Sequence, residues 1–370
     1  MRVAIATTGR FHALDLAREL HALGHDVCFY SHVPVARAQR FGLPARCQRS
    51  LLPHVLPLVG MARVAPDRLR PRLNWWLLRT MDVLVARVLE PCDVFIGMSG
   101  LCVLSCATAR RTYGARVLLE RGSTHVLRQR EILAKVGGER VPDFDVQREL
   151  AGYDLADVIV VPSLHAEGSF VARGFDRGRL FRNPYGVDLD MFPPTPIPAT
   201  REPTALYVGS WTHRKGCDSW GEVLKRIPDL RLIHVGARGD AVMPTSTRFL
   251  HVDPVDQWNL RAQYAKAHVF VQASREEGLS LVLIQALACG LPVACSDQTG
   301  GRDLLEIVKD EDLVRVFPVD DVDAQCSGIR KCMDFALRRT GTRTLSDEAR
   351  SQLGWRAYGQ RYSRKLAEMA

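Results

Sequence analysis

Residues Ser274–Pro292 read "SREEGLSLVLIQALACGLP". Two carboxylates, Glu276 and Glu277, stand before Gly278, and from about Leu281 the stretch turns apolar with helical spacing. The run just upstream, "AHVFVQAS" (Ala267–Ser274), is continuously apolar and reads as a buried strand. The acidic loop therefore falls at the carboxyl end of a strand and at the start of a helix. Free backbone N–H groups and the positive end of the helix dipole favour an anion there. Gly278 lets the backbone approach a ligand closely. A phosphate suits the amides, and carboxylates suit sugar hydroxyls. The competing reading gives Glu276 and Glu277 no more than a capping role at the helix N-terminus.

Working outward, the same strand–helix alternation recurs along the chain. "RVAIAT" (Arg2–Thr7), "HDVCFYS", "CDVFIGM", "ARVLLER" and "ADVIVVPS" are strand-like runs separated by helical stretches such as "ALDLARELHALG". The pattern restarts with "TALYVGS", "LRLIHVGA", "TRFLHVD", "AHVFVQAS" and "LPVACSD". Between the halves lies "MFPPTPIPATREP" (Met191–Pro203), whose prolines exclude a central strand or helix interior. The expected fold class is α/β, with two Rossmann-like doubly wound parallel sheets facing across a cleft. The expected limits are a first domain over 1–190, a linker over 191–203, a second domain over 204–352 and a closing helix over 353–370.

A chain of 370 residues with 46% hydrophobic and 25% charged content suits two soluble globular cores. No run is long and apolar enough for a membrane span, and "MRVAIATTGRF" does not read as a signal peptide. A cytoplasmic protein is expected. The ten cysteines are scattered without a CxxC pair, which favours buried free thiols over a metal or redox site. A formal charge of +9 favours anionic partners. Nucleic acid is the least supported of these, since no zinc spacing, RNA-binding aromatic signature or helix-turn-helix is present.

Three further stretches fall at strand ends facing the cleft. "YVGSWTHRKGCD" (Tyr207–Asp218) places Arg214 and Lys215 after the first strand of the second half, where they suit a diphosphate. "TTGRFHA" places Gly9 after the first strand of the chain. "LLERGSTHVLRQ" (Leu118–Gln129) places His125 in a short polar loop, although a lone histidine is more often structural.

Together these stretches resemble the retaining glycosyltransferases of family 4 (glycosyl transferases group 1), which have the GT-B architecture. "REEGLSLVLIQALACGLPVACSDQTGGRDLLE" carries the resemblance to that family's acid–glycine stretch with its E-x7-E motif. "YVGSWTHRKGCD", "LRLIHVGARGD", "YDLADVIVVPS", "NPYGVDLDMF" and "LGWRAYGQRYSRKL" follow in the family's arrangement, the last as a helix that packs back on the first domain. The resemblance implies that Glu277 contacts the donor sugar and that Lys215 holds the donor diphosphate. It implies that His125 lines the reacting sugar and that Gly9 closes on the diphosphate. It assigns the backbone at Leu279, Ser280 and Leu281 to phosphate and sugar. Two positions depart from the pattern. Gln285 stands where a second glutamate grips the nucleotide ribose, with an expected loss of about 1 kcal/mol in binding. Ser210 stands where the family often has arginine, a charge that Arg214 is placed to supply.

The implied activity is a retaining, metal-independent hexosyltransferase in polysaccharide, glycolipid or other glycoconjugate synthesis. It uses no cofactor beyond a UDP- or GDP-sugar donor, and its acceptor is a glycan or lipid-linked hydroxyl. "PDRLRPRLNWWLLRTMDVLVARVLE" (Pro66–Glu90) mixes arginines with Trp75 and Trp76. It reads equally as a helix lying on an anionic membrane surface, which would make the protein peripheral on the inner face, and as a helix that solvates its arginines. A nucleotide-sugar-binding protein without transfer activity and a GT-B sugar-nucleotide epimerase are the alternatives. "PVDDVDA" (Pro318–Ala324) reads as a helix-capping turn and not as a metal site.

Overall fold

The computed structural model describes residues 1–66, 68–137 and 140–369. Asp67, in the arginine-rich stretch, and Ala370, at the end of the span assigned to the closing helix, lie outside the described residues. The strands are β1 (Arg2–Ala6), β2 (Asp26–Ser31), β3 (Gln48–Ser50), β4 (Val94–Met98), β5 (Arg116–Glu120), β6 (Val158–Val161) and β7 (Leu180–Arg182). They continue with β8 (Thr204–Val208), β9 (Arg231–Val235), β10 (Phe249–Val252), β11 (Val269–Gln272), β12 (Val293–Ser296) and β13 (Val314–Phe317).

The first seven strands form one sheet in the order β3-β2-β1-β4-β5-β6-β7, and the other six form a second in the order β10-β9-β8-β11-β12-β13. Neighbours pair in parallel, with Ile5 opposite both Phe29 and Ile96, and Leu206 opposite both Ile233 and Phe270. The central strands are buried along nearly their whole length, because helices cover both faces. The two doubly wound sheets implied by the patterning are present. Each changes direction beside its first strand, between β1 and β4 and between β8 and β11. The loops that leave those strands are the ones expected to meet a ligand.

Three strands escape the sequence reading, namely β3, β7 and β13, and all three are sheet edges. They are only three or four residues long and carry arginine, as in "QRS", "LFR" and "VRVF". An edge strand has one open side, so it tolerates polar residues and loses its apolar signature.

The proline-rich segment after β7 lies along the second sheet's helices. Phe192 is buried, the Thr195 N–H donates to the Cys289 carbonyl at 3.1 Å, and the Ile197 N–H donates to the Gly341 carbonyl at 2.8 Å. Arg343, itself buried, reaches Thr195 Oγ1 at 2.5 Å and the Tyr264 carbonyl at 3.3 Å. Burial pulls this guanidinium down to about 10.

The last helix, Trp355–Glu368, returns to the first domain and packs on the helix Phe11–Ala22. His25 Nε2 lies 2.8 Å from Ser363 Oγ, and Arg361 donates to Asn183 Oδ1 at 2.7 Å and to the Pro184 carbonyl at 2.7 Å. One apolar cluster runs from Val3, Leu14 and Phe29 through Tyr185, Trp355 and Tyr358 to Leu206, Leu283 and Ile284, so both halves share a core. At the helix crossing a Cβ on Gly359 would lie 2.4 Å from Glu19 Cβ. Gly359→Val is therefore expected to destabilise by about 1–3 kcal/mol through overpacking. Gly221→Ala, at a helical glycine with nothing within 4 Å, should be neutral or slightly stabilising. Urea unfolding of the two variants beside wild type checks the contrast.

Candidate active site

The loop between β11 and the helix Leu281–Ala288 is fastened residue by residue. Arg275 anchors its start. The Arg275 N–H donates to the Arg214 carbonyl at 2.9 Å, and its guanidinium donates to the His213 carbonyl at 2.6 Å and to Asp218 at 2.6 and 2.8 Å. The loops after β8 and β11 are thus held as one unit. Gly216 makes the approach possible: it has φ +69°, and a Cβ there would lie 2.1 Å from the Ala273 carbonyl oxygen.

Two carboxylate–cation pairs result, one deep and one shallower. Glu276 is fully buried, and its Oε2 accepts from Arg214 Nη1 at 3.1 Å while its Oε1 accepts from the Ser123 hydroxyl of the first domain. Burial alone would raise this carboxyl. Ser123, Arg214 and Arg121 outweigh burial and hold it below the usual range. Glu277 pairs with the Lys215 ammonium, and Gln272 Nε2 approaches it at 3.5 Å. The capping alternative for the two acids does not hold: the N-cap of Leu281–Ala288 is Ser280, and no side chain caps it. The stronger pull on both carboxylates comes from Arg214 and Lys215 across the loop. Leu279 and Ser280 are buried, and Leu281 is partly open at the helix start.

Gly278 lies where the two domains come together. A Cβ there would fall 2.0 Å from the Gly122 carbonyl oxygen and 2.9 Å from Pro162 Cγ, both in the first domain. The Ser163 hydroxyl also donates to the Gly278 carbonyl at 2.8 Å. The missing side chain lets the two domains touch.

His125 differs from expectation in its surroundings. Its polar neighbours in sequence suggested a side chain facing the cleft, but it is buried as the N-cap of the helix Val126–Val136, its Nδ1 accepting from the Leu127 N–H at 3.2 Å. Its ring packs among Tyr153, Phe170 and Phe175, at centroid distances of 5.1, 5.0 and 5.6 Å. Burial, reinforced by Arg173 and Arg121, pushes the imidazole down to about 4, so it stays neutral. Among the described residues its ring makes no bond to Glu277 or Lys215.

The remaining positions divide. Ser210 is exposed, and its carbonyl accepts from the Tyr207 hydroxyl at 2.8 Å. Gln285 is buried, with its Oε1 accepting from the Tyr264 hydroxyl at 2.9 Å. It lines a cavity of about 230 Å³ together with Arg10, Phe11 and Trp355. Gly9 adjoins Phe11, which is 60% exposed on a backbone at φ +35°. Arg10 Nη1 crosses the domains to Gln257 Oε1 at 3.0 Å.

Sequence reasoning missed the groups that shape the first-domain side. Arg121 is buried, donating to Glu149 at 2.8 Å, Gln129 at 2.8 Å and the Thr124 carbonyl at 2.9 Å. It fixes the loop that presents Ser123 to Glu276. Arg121 and Ser123 sit inside the quoted "LLERGSTHVLRQ", but Glu276 is 153 residues from Ser123, and nothing local signals the pairing.

Two facing doubly wound sheets, with paired acids and bases at the helix start, define a GT-B fold. Solved structures agree in fold. Sucrose-phosphate synthase from Thermosynechococcus elongatus superposes with a TM-score of 0.68 at 21% identity, covering 100% of this chain and 99% of that one. Anabaena HepE in complex with UDP gives 0.65 at 10% identity, covering both chains completely. Residues 202–334, within the second domain, match the family described as Glycosyl transferases group 1, the family that the motifs resemble. Among curated relatives, the GDP-mannose-dependent alpha-(1-6)-phosphatidylinositol monomannoside mannosyltransferase of Mycolicibacterium smegmatis is 28% identical over 62% of this chain and 64% of its own length. The O-antigen chain mannosyltransferase B of Escherichia coli is 44% identical over 41% of this chain and 42% of its own length. The chain spans about half the length of the curated relatives it matches.

The depressed imidazole at position 125 carries a pH signature. Between the free value of 6.5 and about 4, the unfolded chain takes up a proton that the folded chain refuses. Stability is therefore complete above pH 6.5 and falls as pH drops toward 4, by at most about 3 kcal/mol. His125→Asn, which keeps an N-cap side chain, should flatten this part of the curve. Unfolding free energies at pH 7, 5.5 and 4.5 for both proteins test it, and parallel curves would remove His125 as the cause.

Proposed function

We propose that the chain is a nucleotide-sugar-dependent glycosyltransferase. In this reading it moves a hexose-type sugar from a UDP- or GDP-sugar to an acceptor hydroxyl, with retention and without a metal. The observation that carries it is the Lys215–Glu277 pair beside the uncapped start of the helix Leu281–Ala288. As the glycosidic bond breaks, negative charge grows on the departing diphosphate. The Lys215 ammonium and the helix-start amides at Leu279–Leu281 are fixed positive groups that stabilise it. Glu277, released from Lys215 by the arriving phosphates, accepts hydrogen bonds from the sugar hydroxyls. Glu276 keeps Arg214 in register from below. Gln285 faces the ribose with its amide N–H, since its carbonyl oxygen is engaged by Tyr264. The solved HepE complex with UDP-glucose, and relatives named as GDP-mannose-dependent or mannosyltransferases, support both donor classes.

The acceptor in this reading is a glycan or lipid-linked hydroxyl, met at a membrane surface. Among the described residues no helix is long and apolar enough to cross a membrane. The helices Leu52–Val64 and Arg70–Val88, with Arg68 and Leu69 just before the second, nevertheless expose Leu56, Met61, Val64, Leu69 and Trp76 beside Arg63, Arg68, Arg72 and Arg79, a pattern suited to an anionic bilayer.

Two experiments decide these points. In a thermal-shift panel of nucleoside diphosphates and nucleotide sugars, one base should raise the midpoint, and Lys215→Ala should weaken that binding at least tenfold. No shift with any of them would overturn the donor assignment. In co-sedimentation, anionic vesicles should retain the protein and neutral ones should not, with Trp76→Ala lowering retention several-fold. Equal recovery from both vesicle types would remove the membrane contact.

A further inference from the structure

A cavity of about 570 Å³ opens between the domains on the flank formed by β6 and β12, away from the pocket that Gln285 lines. Its walls are the first-domain helices Val126–Val136 and Leu164–Val171, the second-domain turn 297–300 and the start of the helix Gly301–Val308. Arginines enter from both sides, Arg128 and Arg173 from the first domain and Arg302 from the second.

The acids around the cavity are largely engaged elsewhere. Asp303 accepts from the Leu164 N–H at 3.0 Å and from Arg182 at 2.9 Å. Asp297 Oδ1 accepts from Gln298 Nε2 at 3.0 Å and from the Val319 N–H at 3.2 Å. Glu131 pairs with Arg173, and Arg128 reaches it only at 4.0 Å. Arg302 is exposed and has no ion pair among the described residues. The lining thus keeps two weakly committed guanidinium groups, one from each domain. His165 adds a third group, because its Nε2 is shielded from solvent and has no hydrogen-bond partner among the described residues. A buried polar atom left in that condition is unfavourable until a ligand meets it.

The cavity also adjoins the acid–glycine loop after β11: a Cβ on Gly300, on its wall, would lie 2.6 Å from Leu279 Cδ1 and 3.1 Å from the Gly278 carbonyl oxygen. We infer that this cavity is the acceptor subsite and binds a phosphoryl-bearing sugar or polyol. Arg128 and Arg302 would take the phosphoryl oxygens from opposite domains, with His165 and Gln298 on hydroxyls. Guanidinium groups match phosphoryl oxygens in pairs, and the volume suits a molecule of sugar-phosphate size. Assigning the cavity to the acceptor rests on the glycosyltransferase reading above. The binding of a phosphate ester does not.

The test uses the full chain, its Arg128→Gln/Arg302→Gln variant, and an Arg302→Lys variant. Isothermal titration with glucose 6-phosphate, with glucose as control, is run beside titration with UDP and GDP. The expected result is that wild type binds glucose 6-phosphate and not glucose. The double variant should bind it at least tenfold more weakly, Arg302→Lys should recover part of the loss, and nucleotide affinity should stay within twofold throughout. Equal affinity in wild type and double variant, or no binding to wild type, overturns the proposal. Phosphate-ester binding that depends on the arginines without any nucleotide binding would keep the site and remove the transferase reading instead. Vesicles containing phosphatidylinositol distinguish the source. Arginine-dependent retention on them assigns the phosphoryl group to a lipid headgroup, and retention unchanged by the variants assigns it to a free sugar or polyol phosphate.

Discussion

Glu276 is a carboxylate without solvent, shared by two domains, and the geometry of the cleft depends on how its charge is compensated. An ionised acid in that position is unfavourable unless every lone pair is met. Ser123 meets it from the first domain and Arg214 from the second. Each partner is in turn fixed. Arg121 and Glu149 hold the Ser123 loop, and the Arg275–Asp218 pair holds the loop that carries Arg214. The next residue along, Glu277, then has a defined position relative to Lys215. A contact that serves folding therefore also sets the spacing of the groups that would meet a substrate.

The same boundary explains the role of glycine here. At Gly278 the two backbones meet where any side chain would stand, and at Gly216 two loops of one sheet meet in the same way. Neither contact contributes much energy by itself. Each removes an obstacle, and the bonds from Ser163 and Arg275 then act at short range.

Much of the fold was legible in the sequence because its central strands are buried on both faces and have a continuous apolar signature. "VFVQ" and "TALYV" could hardly be anything else. The edges β3, β7 and β13 were not legible, since solvent on one side lets arginine into the strand. At the candidate site, Lys215 and Glu277 were both readable because each follows a strand end. The sequence could not show that they pair with each other, nor that Glu276 turns away to the first domain. His125 misled because polar neighbours in sequence suggested a polar environment, while Tyr153, Phe170 and Phe175 arrive from distant segments to enclose it.

The return of the last helix to the first has a consequence for how the chain acquires its structure. His25 and Ser363 touch across 338 residues of sequence. During synthesis the helix Phe11–Ala22 emerges well before the surface of Trp355–Glu368 that covers it. Until then the apolar face of the early helix lacks its cover, and the first domain remains an unfinished body that can stick to its neighbours. The closure is also non-local, because the helix Trp355–Glu368 meets a partner more than 300 residues earlier in the chain. Because Trp355 and Tyr358 of that helix belong to the apolar cluster that both halves share, chains shortened by even part of it would be expected to fail first by aggregation.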